Sequence, residues 1–92
     1  MLTVLVYDVV SDTRRTRLHA LLKQYGVAVQ KSAFEARLTS REREQLLRRV
    51  GRLLDPDEDR FVLYPITRDQ ETRIEVVGTP RPELREASYF LV

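Results

Sequence analysis

The spacing of hydrophobic residues changes several times along the chain, and each change predicts a different element. Residues Leu2–Val10 are almost all apolar, and several are β-branched. A continuous run of this kind is typical of a strand that is buried on both faces and is therefore central in a sheet. Asp8 is the single charged residue of the run and lies near its end, before the polar pair Ser11 and Asp12.

The next segment has the spacing of an amphipathic helix. Ser11 or Asp12 can cap its first turn. Gly26 follows it, at a position where a left-handed residue commonly ends a helix. Its apolar residues recur at i, i+3, i+4 and i+7, and they are Leu18, Leu21, Leu22 and Tyr25.

A second amphipathic helix is predicted to begin at Thr39, because Thr39 and Glu42 have the spacing of a capping box. It ends before the sequence Asp55-Pro56-Asp57, since a proline does not continue a helix. Its apolar stripe consists of Leu46, Leu47, Val50, Leu53 and Leu54.

Three further segments indicate strands. Residues Val27–Leu38 alternate loosely, and the change of parity near residues 31–32 predicts a break or a bulge there. Arg60–Ile66 is a strand with a proline near its end or on a sheet edge. Arg73–Val77 alternates as a short strand that Gly78 ends.

The order of elements predicts one α+β domain over residues 1–92, close to a ferredoxin-like βαββαβ plan, with two helices on one face of an antiparallel sheet. Residues 1–78 form its core. Residues 79–92 contain a proline-bearing linker and the apolar segment Ser88–Val92. We expect this last segment to act as a strand that is exchanged onto the sheet of a partner copy.

Composition narrows the kinds of site that are possible. The chain has no cysteine, so any metal must be held by oxygen ligands or by His19, the one histidine. Fourteen of its sixteen cationic residues are arginine. The planar guanidinium of arginine binds phosphate oxygens in a bidentate way, which the ammonium group of lysine cannot do. We expect a cytoplasmic protein, because the sequence has no apolar run long enough to span a membrane and no signal-peptide pattern.

Asp8 is the first candidate for chemistry, because an acid in a buried strand is costly unless it is at the strand end, paired or bound to metal. It can instead cap the following turn. One carboxylate is a poor site for Mg²⁺, but a two-fold dimer that brings both Asp8 side chains together offers two. A metal there can activate water or stabilise charge on a phosphate.

Basic residues follow Asp8 in the first turns of the predicted helix, where helix N-termini favour phosphate. They are Arg14, Arg15 and Arg17, which can equally be solvated charges on a helix face. Phe34 is more often a core residue than a platform for a base, and His19 is predicted to be an ordinary surface residue. Covalent catalysis is not predicted, since the sequence has no Ser-His-Asp arrangement or glycine-rich phosphate loop.

Two segments together resemble a known family. They are Val6-Tyr7-Asp8-Val9 with the following Asp12, Arg14, Arg15 and Arg17, and Val29-Gln30-Lys31-Ser32-Ala33-Phe34-Glu35. In order and spacing they are similar to the CRISPR-associated endoribonuclease family, the small second member of the two-protein CRISPR adaptation core.

This resemblance implies a ferredoxin-like homodimer whose C-terminal strands contact the partner's sheet. It implies that Asp8 is the catalytic carboxylate that holds Mg²⁺, or Mn²⁺, near its symmetry mate. RNA or DNA is then the substrate and the adaptation integrase is the protein partner. The candidate nucleic-acid-binding residues are Tyr7, Arg14, Arg15, Arg17 and Phe34.

The sequence is compatible with three functions. The first is a metal-dependent endonuclease, and the second is a non-catalytic DNA-binding scaffold for the integrase. The third is a regulatory module for a small metabolite, because ferredoxin-like folds serve many functions.

Overall fold

The structure is a computed structural model and describes residues 1–84. Within this range the elements follow the order β1 (Leu2–Asp8), α1 (Asp12–Leu22), β2 (Val27–Gln30), β3 (Ala33–Arg37), α2 (Ser40–Leu53), β4 (Arg60–Ile66) and α3 (Arg68–Glu71). The predicted segment Ser88–Val92 lies outside the described residues. No helix among residues 1–84 is both long and apolar enough to cross a membrane.

The sheet is antiparallel and has the strand order β2-β3-β1-β4. The predicted break at residues 31–32 is a turn between two separate strands, which completes the βαββαβ order. The ferredoxin-like α+β fold is therefore confirmed. β1 is central as predicted, and the proline-bearing strand β4 is at an edge, where a missing backbone N–H is tolerated.

The two faces of the sheet differ because successive side chains of a strand point to opposite sides. The helical face packs against α1 and α2, and its strand residues are Thr3, Leu5 and Tyr7 of β1, Phe34 and Ala36 of β3, and Phe61 and Leu63 of β4. The opposite side, here called the open face, consists of Leu2, Val4, Val6 and Asp8 of β1, Ala33, Glu35 and Arg37 of β3, and Arg60, Val62, Tyr64 and Ile66 of β4.

The helical face is the more deeply buried of the two, although Leu2, at one end of the open face, is also buried. On the helical face Leu5 and Phe34 are 0% exposed, packed against the predicted apolar stripes of both helices. On the open face Val6 is 36% exposed and Asp8 is exposed. The prediction that the first strand is buried on both faces was therefore wrong, since a continuous apolar run does not reveal whether a second layer covers the sheet.

The two long helices begin as predicted. The Ser11 hydroxyl accepts a hydrogen bond from the backbone N–H of Arg14 at 3.2 Å. Thr39 and Glu42 form the expected capping box, with distances of 2.8 and 3.1 Å between the reciprocal partners. The predicted stripe of α2 is correct except at Leu47, which is 45% exposed.

Gly26 is needed for a different reason from the one predicted. Its φ is not positive, so it is not a left-handed helix cap. A Cβ at this position would lie 2.2 Å from the carbonyl oxygen of Glu35 and 2.7 Å from the Cβ of Ala36. The turn after α1 passes so close to β3 that only glycine fits.

The predicted strand Arg73–Val77 was also wrong. The short helix α3, which begins with a capping box of Thr67 and Gln70, ends before this segment, and residues 74–77 are irregular. Val77 is fully exposed. An alternating segment becomes a strand only when a neighbouring strand supplies its backbone hydrogen bonds, and among residues 1–84 none lies beside it.

Ion pairs hold the chain after β4 against one end of the open face. Arg37 pairs with Glu71 of α3, and Arg81 pairs with Glu35. The Arg37 guanidinium lowers the pKa of Glu71 below its usual range. The end of the open face that carries Asp8 has no such pair among the described residues.

Candidate functional site

Asp8 is the last residue of β1 and lies opposite Arg60 of β4. Its side chain is on the open face and is exposed. Within residues 1–84 its carboxylate forms no hydrogen bond and no ion pair. The alternative in which Asp8 caps the following turn finds no support, because Ser11 provides that cap. Both carboxylate oxygens are therefore accessible to a ligand.

The described part of one copy does not by itself contain a cluster of metal ligands. The described residues contain no cluster of three or more histidine or acidic side chains that can hold a metal ion. Mg²⁺ commonly takes one or two carboxylates and completes its shell with water and phosphate oxygens. An exposed carboxylate that has no partner among residues 1–84 fits the role of one such ligand.

Apolar side chains surround the approach to Asp8 on the open face. Val4 and Val6 precede it on β1, and Val62 and Tyr64 lie opposite them on β4. Val6 and Tyr64 are 36% and 52% exposed. This apolar strip, the four residues just named, is adjacent to the exposed carboxylate.

Arg14 is bound to acidic residues and is not available to a phosphate in this conformation. Its Nε donates to Oδ2 of Asp59 at 2.6 Å, and its Nη2 donates to Oδ1 of Asp59 and to Oε2 of Glu58, both at 3.3 Å. Its side chain is only 26% exposed. The predicted role in nucleic-acid binding therefore competes with a bidentate ion pair.

Asp59 is a site residue that the sequence did not reveal. Its Oδ1 accepts from the backbone N–H of Val10 at 3.0 Å, and its Oδ2 accepts from that of Asp55 at 2.9 Å. The hydrogen bond from Arg14, with these two backbone bonds, holds the pKa of Asp59 well below its usual range. Asp59 thus fixes the chain just beyond Asp8, yet no local pattern links it to residues 10 and 14.

The other two arginines differ in availability. Arg15 donates from Nη1 to the carbonyl oxygen of Val9 at 2.7 Å and pairs with Asp12, so it fastens the start of α1 to the end of β1. Arg17 is exposed and has no ion pair within the described part of the chain. Of the three predicted arginines, Arg17 is the one whose guanidinium is unoccupied there.

The two predicted aromatic site residues lie in the core. Phe34 is 0% exposed and Tyr7 is 4% exposed, so neither ring is accessible to a base. The Tyr7 hydroxyl donates to the carbonyl oxygen of Lys31 at 3.3 Å. Burial raises the pKa of Tyr7, and Arg15 opposes this effect. Phe34 is therefore a core residue in the structure, which was the alternative to a platform for a base.

His19 is not the ordinary surface residue that its polar neighbours indicated. It is half-buried, and its ring meets that of Phe34 edge-on at a centroid distance of 5.1 Å. Its Nδ1 lies 3.5 Å from the Tyr7 hydroxyl. The sequence showed only its helical neighbours Arg15 and Lys23, whereas these contacts come from two strands.

The first comparison with known proteins is a family model. The model described as CRISPR associated protein Cas2 matches residues 1–74. This range includes every element from β1 to α3, together with Asp8 and Asp59.

Two curated relatives match most of the chain. It is 46% identical over 86 residues to "CRISPR-associated endonuclease Cas2 2" of Thermus thermophilus, covering 92% of this chain and 91% of that protein. It is 40% identical over 78 residues to "CRISPR-associated endoribonuclease Cas2 3" of Chloroflexus aurantiacus, covering 85% of this chain and 84% of that protein.

Solved structures agree with these matches. The hypothetical protein TT1823 from Thermus thermophilus has a TM-score of 0.77 at 44% identity, covering 89% of this chain and 96% of that one. A chain of a partial Cas6-RT-Cas1–Cas2 complex has a TM-score of 0.69 at 27% identity, covering 94% and 95%. The chain therefore belongs to the CRISPR associated protein Cas2 family.

Proposed function

We propose that this protein is a divalent-metal-dependent endonuclease of CRISPR adaptation that hydrolyses phosphodiester bonds in single-stranded RNA or duplex DNA. The observation that carries the proposal is the exposed carboxylate of Asp8, which has no partner within residues 1–84 and lies beside the apolar strip. The two curated relatives are named endonuclease and endoribonuclease, which supports the reaction class. We place the protein in the cytoplasm, where such substrates occur.

We expect the apolar strip to be buried against a second copy of the chain. Exposed apolar residues in a contiguous patch commonly mark an interface, and a two-fold interface contacts the same patch on both copies. Because Asp8 lies beside the strip on the same face, such a dimer places the two Asp8 side chains near one another. The C-terminal residues 79–92 are the further predicted contact with the partner copy.

The two Asp8 carboxylates would hold Mg²⁺ or Mn²⁺, which when bound supplies charge stabilisation at the scissile phosphate and lowers the pKa of water. The residues of the chain then have separate tasks. Arg17 attracts phosphate oxygens, and Arg15 keeps the end of β1 in place through its bond to Val9. The ion pair of Arg14 with Asp59 restrains the loop that follows Asp8.

The test of the proposed reaction is the variant Asp8→Asn beside Asp57→Asn. Asp57 is also an exposed acid in the described region, but it is in the turn after α2. Both proteins are incubated with labelled single-stranded RNA and duplex DNA, in Mg²⁺, in Mn²⁺ and in chelator. We expect Asp8→Asn to reduce cleavage to the level seen with chelator and Asp57→Asn to leave it unchanged. Equal cleavage by Asp8→Asn and the parent protein would exclude the metal role.

The dimer has its own test. Val6→Lys places a charge in the apolar strip, whereas Val10→Lys changes a valine that is 63% exposed in the loop after β1. We expect Val6→Lys to give a monomer by sedimentation and to lose cleavage, with the circular dichroism spectrum unchanged. Val10→Lys is expected to remain a dimer. A dimer that survives Val6→Lys would show that the open face is not the interface.

A second candidate function is a non-catalytic DNA-binding scaffold for the adaptation integrase. It is favoured by the similarity to a chain of a complex that contains Cas1, and by the lack of an evident general base beside Asp8 in the described residues. The scaffold predicts that Asp8→Asn still supports integration with the integrase and still binds duplex DNA. Arg17→Glu should weaken that binding and reduce its salt dependence. Both candidate functions use Arg17, so the outcome that distinguishes them is the effect of Asp8→Asn.

A further inference from the structure

The outer surface of the two long helices contains a basic groove, and Arg17 is the one residue of its lining that the proposed function uses. It has a volume of about 470 Å³ and is lined by Arg17, Ala20, Leu21 and Gln24 of α1 and by Arg49, Arg52 and Leu53 of α2. These residues lie on the far side of the helical layer from the open face. We call this feature the interhelical groove.

The groove combines an apolar floor with a positively charged rim. Ala20, Leu21 and Leu53 supply the floor, and three arginines supply the rim. Among residues 1–84, no carboxylate lines the groove to neutralise them. Arg49 and Arg52 are three positions apart on one helix, a spacing at which like charges are unfavourable for the helix itself.

Neutral neighbours fix the orientation of one of the three arginines, Arg49. Arg49 donates from Nη1 to Oε1 of Gln24 at 3.2 Å and to the Tyr25 hydroxyl at 3.1 Å. Its guanidinium carbon lies 5.7 Å from the centre of the Tyr25 ring, a cation–π distance. Both hydrogen-bond acceptors are neutral, so neither of them compensates the positive charge of Arg49. Arg17 and Arg52 are exposed and have no ion pair in the described region.

We infer that the interhelical groove is a docking site for an acidic amphipathic segment of a protein partner. Apolar side chains of such a segment fit the floor, and its carboxylates fit the three guanidinium groups. This interaction shares Arg17 with the proposed nucleic-acid binding, but Asp8 and the metal take no part in it.

Nucleic acid fits the groove less well than a peptide does. No aromatic ring is among the lining residues, so single-stranded RNA or DNA finds no stacking platform there. A duplex is convex and presents phosphates without apolar groups, so it touches the rim and leaves the floor uncovered. A helical peptide presents both kinds of group from one face.

The experiment measures binding of a labelled synthetic helical peptide with leucines at i, i+4 and i+7 and glutamates beside them, by fluorescence anisotropy. The protein variants are Arg52→Glu and Ala20→Glu in the groove, with Arg48→Glu as the matched control. Arg48 is exposed on the same helix and does not line the groove. We expect both groove variants to weaken binding on the order of tenfold or more, and Arg48→Glu to bind as the parent does.

Two further peptides test whether binding depends on the order of the residues and on their charge. A peptide of the same composition in scrambled order should bind weakly, and a peptide with lysine in place of only the glutamate that faces residue 52 should recover part of the binding to Arg52→Glu. Equal binding by groove and control variants, or by the ordered and scrambled peptides, would overturn the inference. So would binding of duplex DNA or single-stranded RNA that is lost in Arg52→Glu but not in Arg48→Glu, with no peptide binding. None of these outcomes bears on metal-dependent cleavage, which is tested through Asp8.

Discussion

The two faces of the sheet have opposite characters although they belong to the same strands. On the helical face, Leu5 and Phe34 are completely buried under two helices. On the open face, Val6 and Tyr64 remain partly exposed beside the exposed carboxylate of Asp8. The comparison teaches that the helical face stabilises the single chain, whereas the open face carries the features we assign to pairing and catalysis.

The largest expected effect is a loss of stability that differs between substitutions on the two faces. Phe34→Ala removes a ring from the centre of the helical-face core and should lower the free energy of unfolding by about 3–5 kcal/mol. Tyr64→Ala, on the open face, should change it by only about 0.5 kcal/mol, as for other exposed positions. Urea unfolding followed by circular dichroism, at low protein concentration, measures both. An equally large loss in Tyr64→Ala would show that a second copy covers the open face in the folded state.

A smaller effect tests how tightly the helical layer meets the sheet. Gly26→Ala should lower the free energy of unfolding by about 1–3 kcal/mol, because its new methyl group meets the backbone of β3. Gly51→Ala is the control, since a Cβ there has no atom within 4 Å. It should stabilise α2 by roughly 0.5–1 kcal/mol. If Gly26→Ala were as stable as the parent protein, the turn after α1 would not be confined as described.

The smallest effect concerns pH and the loop beyond Asp8. Asp59 has a pKa below its usual range in the folded chain, so its contribution to stability is complete above about pH 4, the usual pKa of an aspartate. That contribution is lost as the pH falls towards the folded-state pKa. Asp59→Asn should therefore unfold with a weaker pH dependence below about pH 4 than the parent protein does.

The control for this prediction is Asp57→Asn, in the same turn. Its acid unfolding should follow that of the parent. Part of the pH dependence should persist in Asp59→Asn as well, because Arg37 also lowers the pKa of Glu71. If Asp59→Asn and the parent protein lose stability equally on acidification, the ion pair with Arg14 does not stabilise the loop.

Much of the fold was predictable because its signals are local. The Ser11 cap, the capping box of Thr39 and Glu42 and the stripes of both helices depend on residues within about two turns of one another. The break at residues 31–32 was likewise visible as a change of parity. The family resemblance, confirmed by the match over residues 1–74, rested on the same N-terminal segments.

The errors arose where distant parts of the chain decide a residue's surroundings. Gly26 was assigned to a helix cap, but β3 limits the space at that position. His19 was assigned to the surface, but Tyr7 and Phe34 contact it from the sheet. The segment Arg73–Val77 has the alternation of a strand, yet no strand of the described chain lies beside it. The metal-binding and nucleic-acid roles of Asp8, Arg15 and Arg17 remain predictions.

The sequence alone determined the α+β plan, the starts of the long helices and the position of a lone acid at the end of the first strand. It did so because caps and periodicity act over a few residues. Only the tertiary structure decided that Asp8 is on the uncovered face and that Arg14 is paired with Asp59, forty-five positions away. Burial and ion pairing depend on which segments meet in space, and a linear pattern does not contain that information.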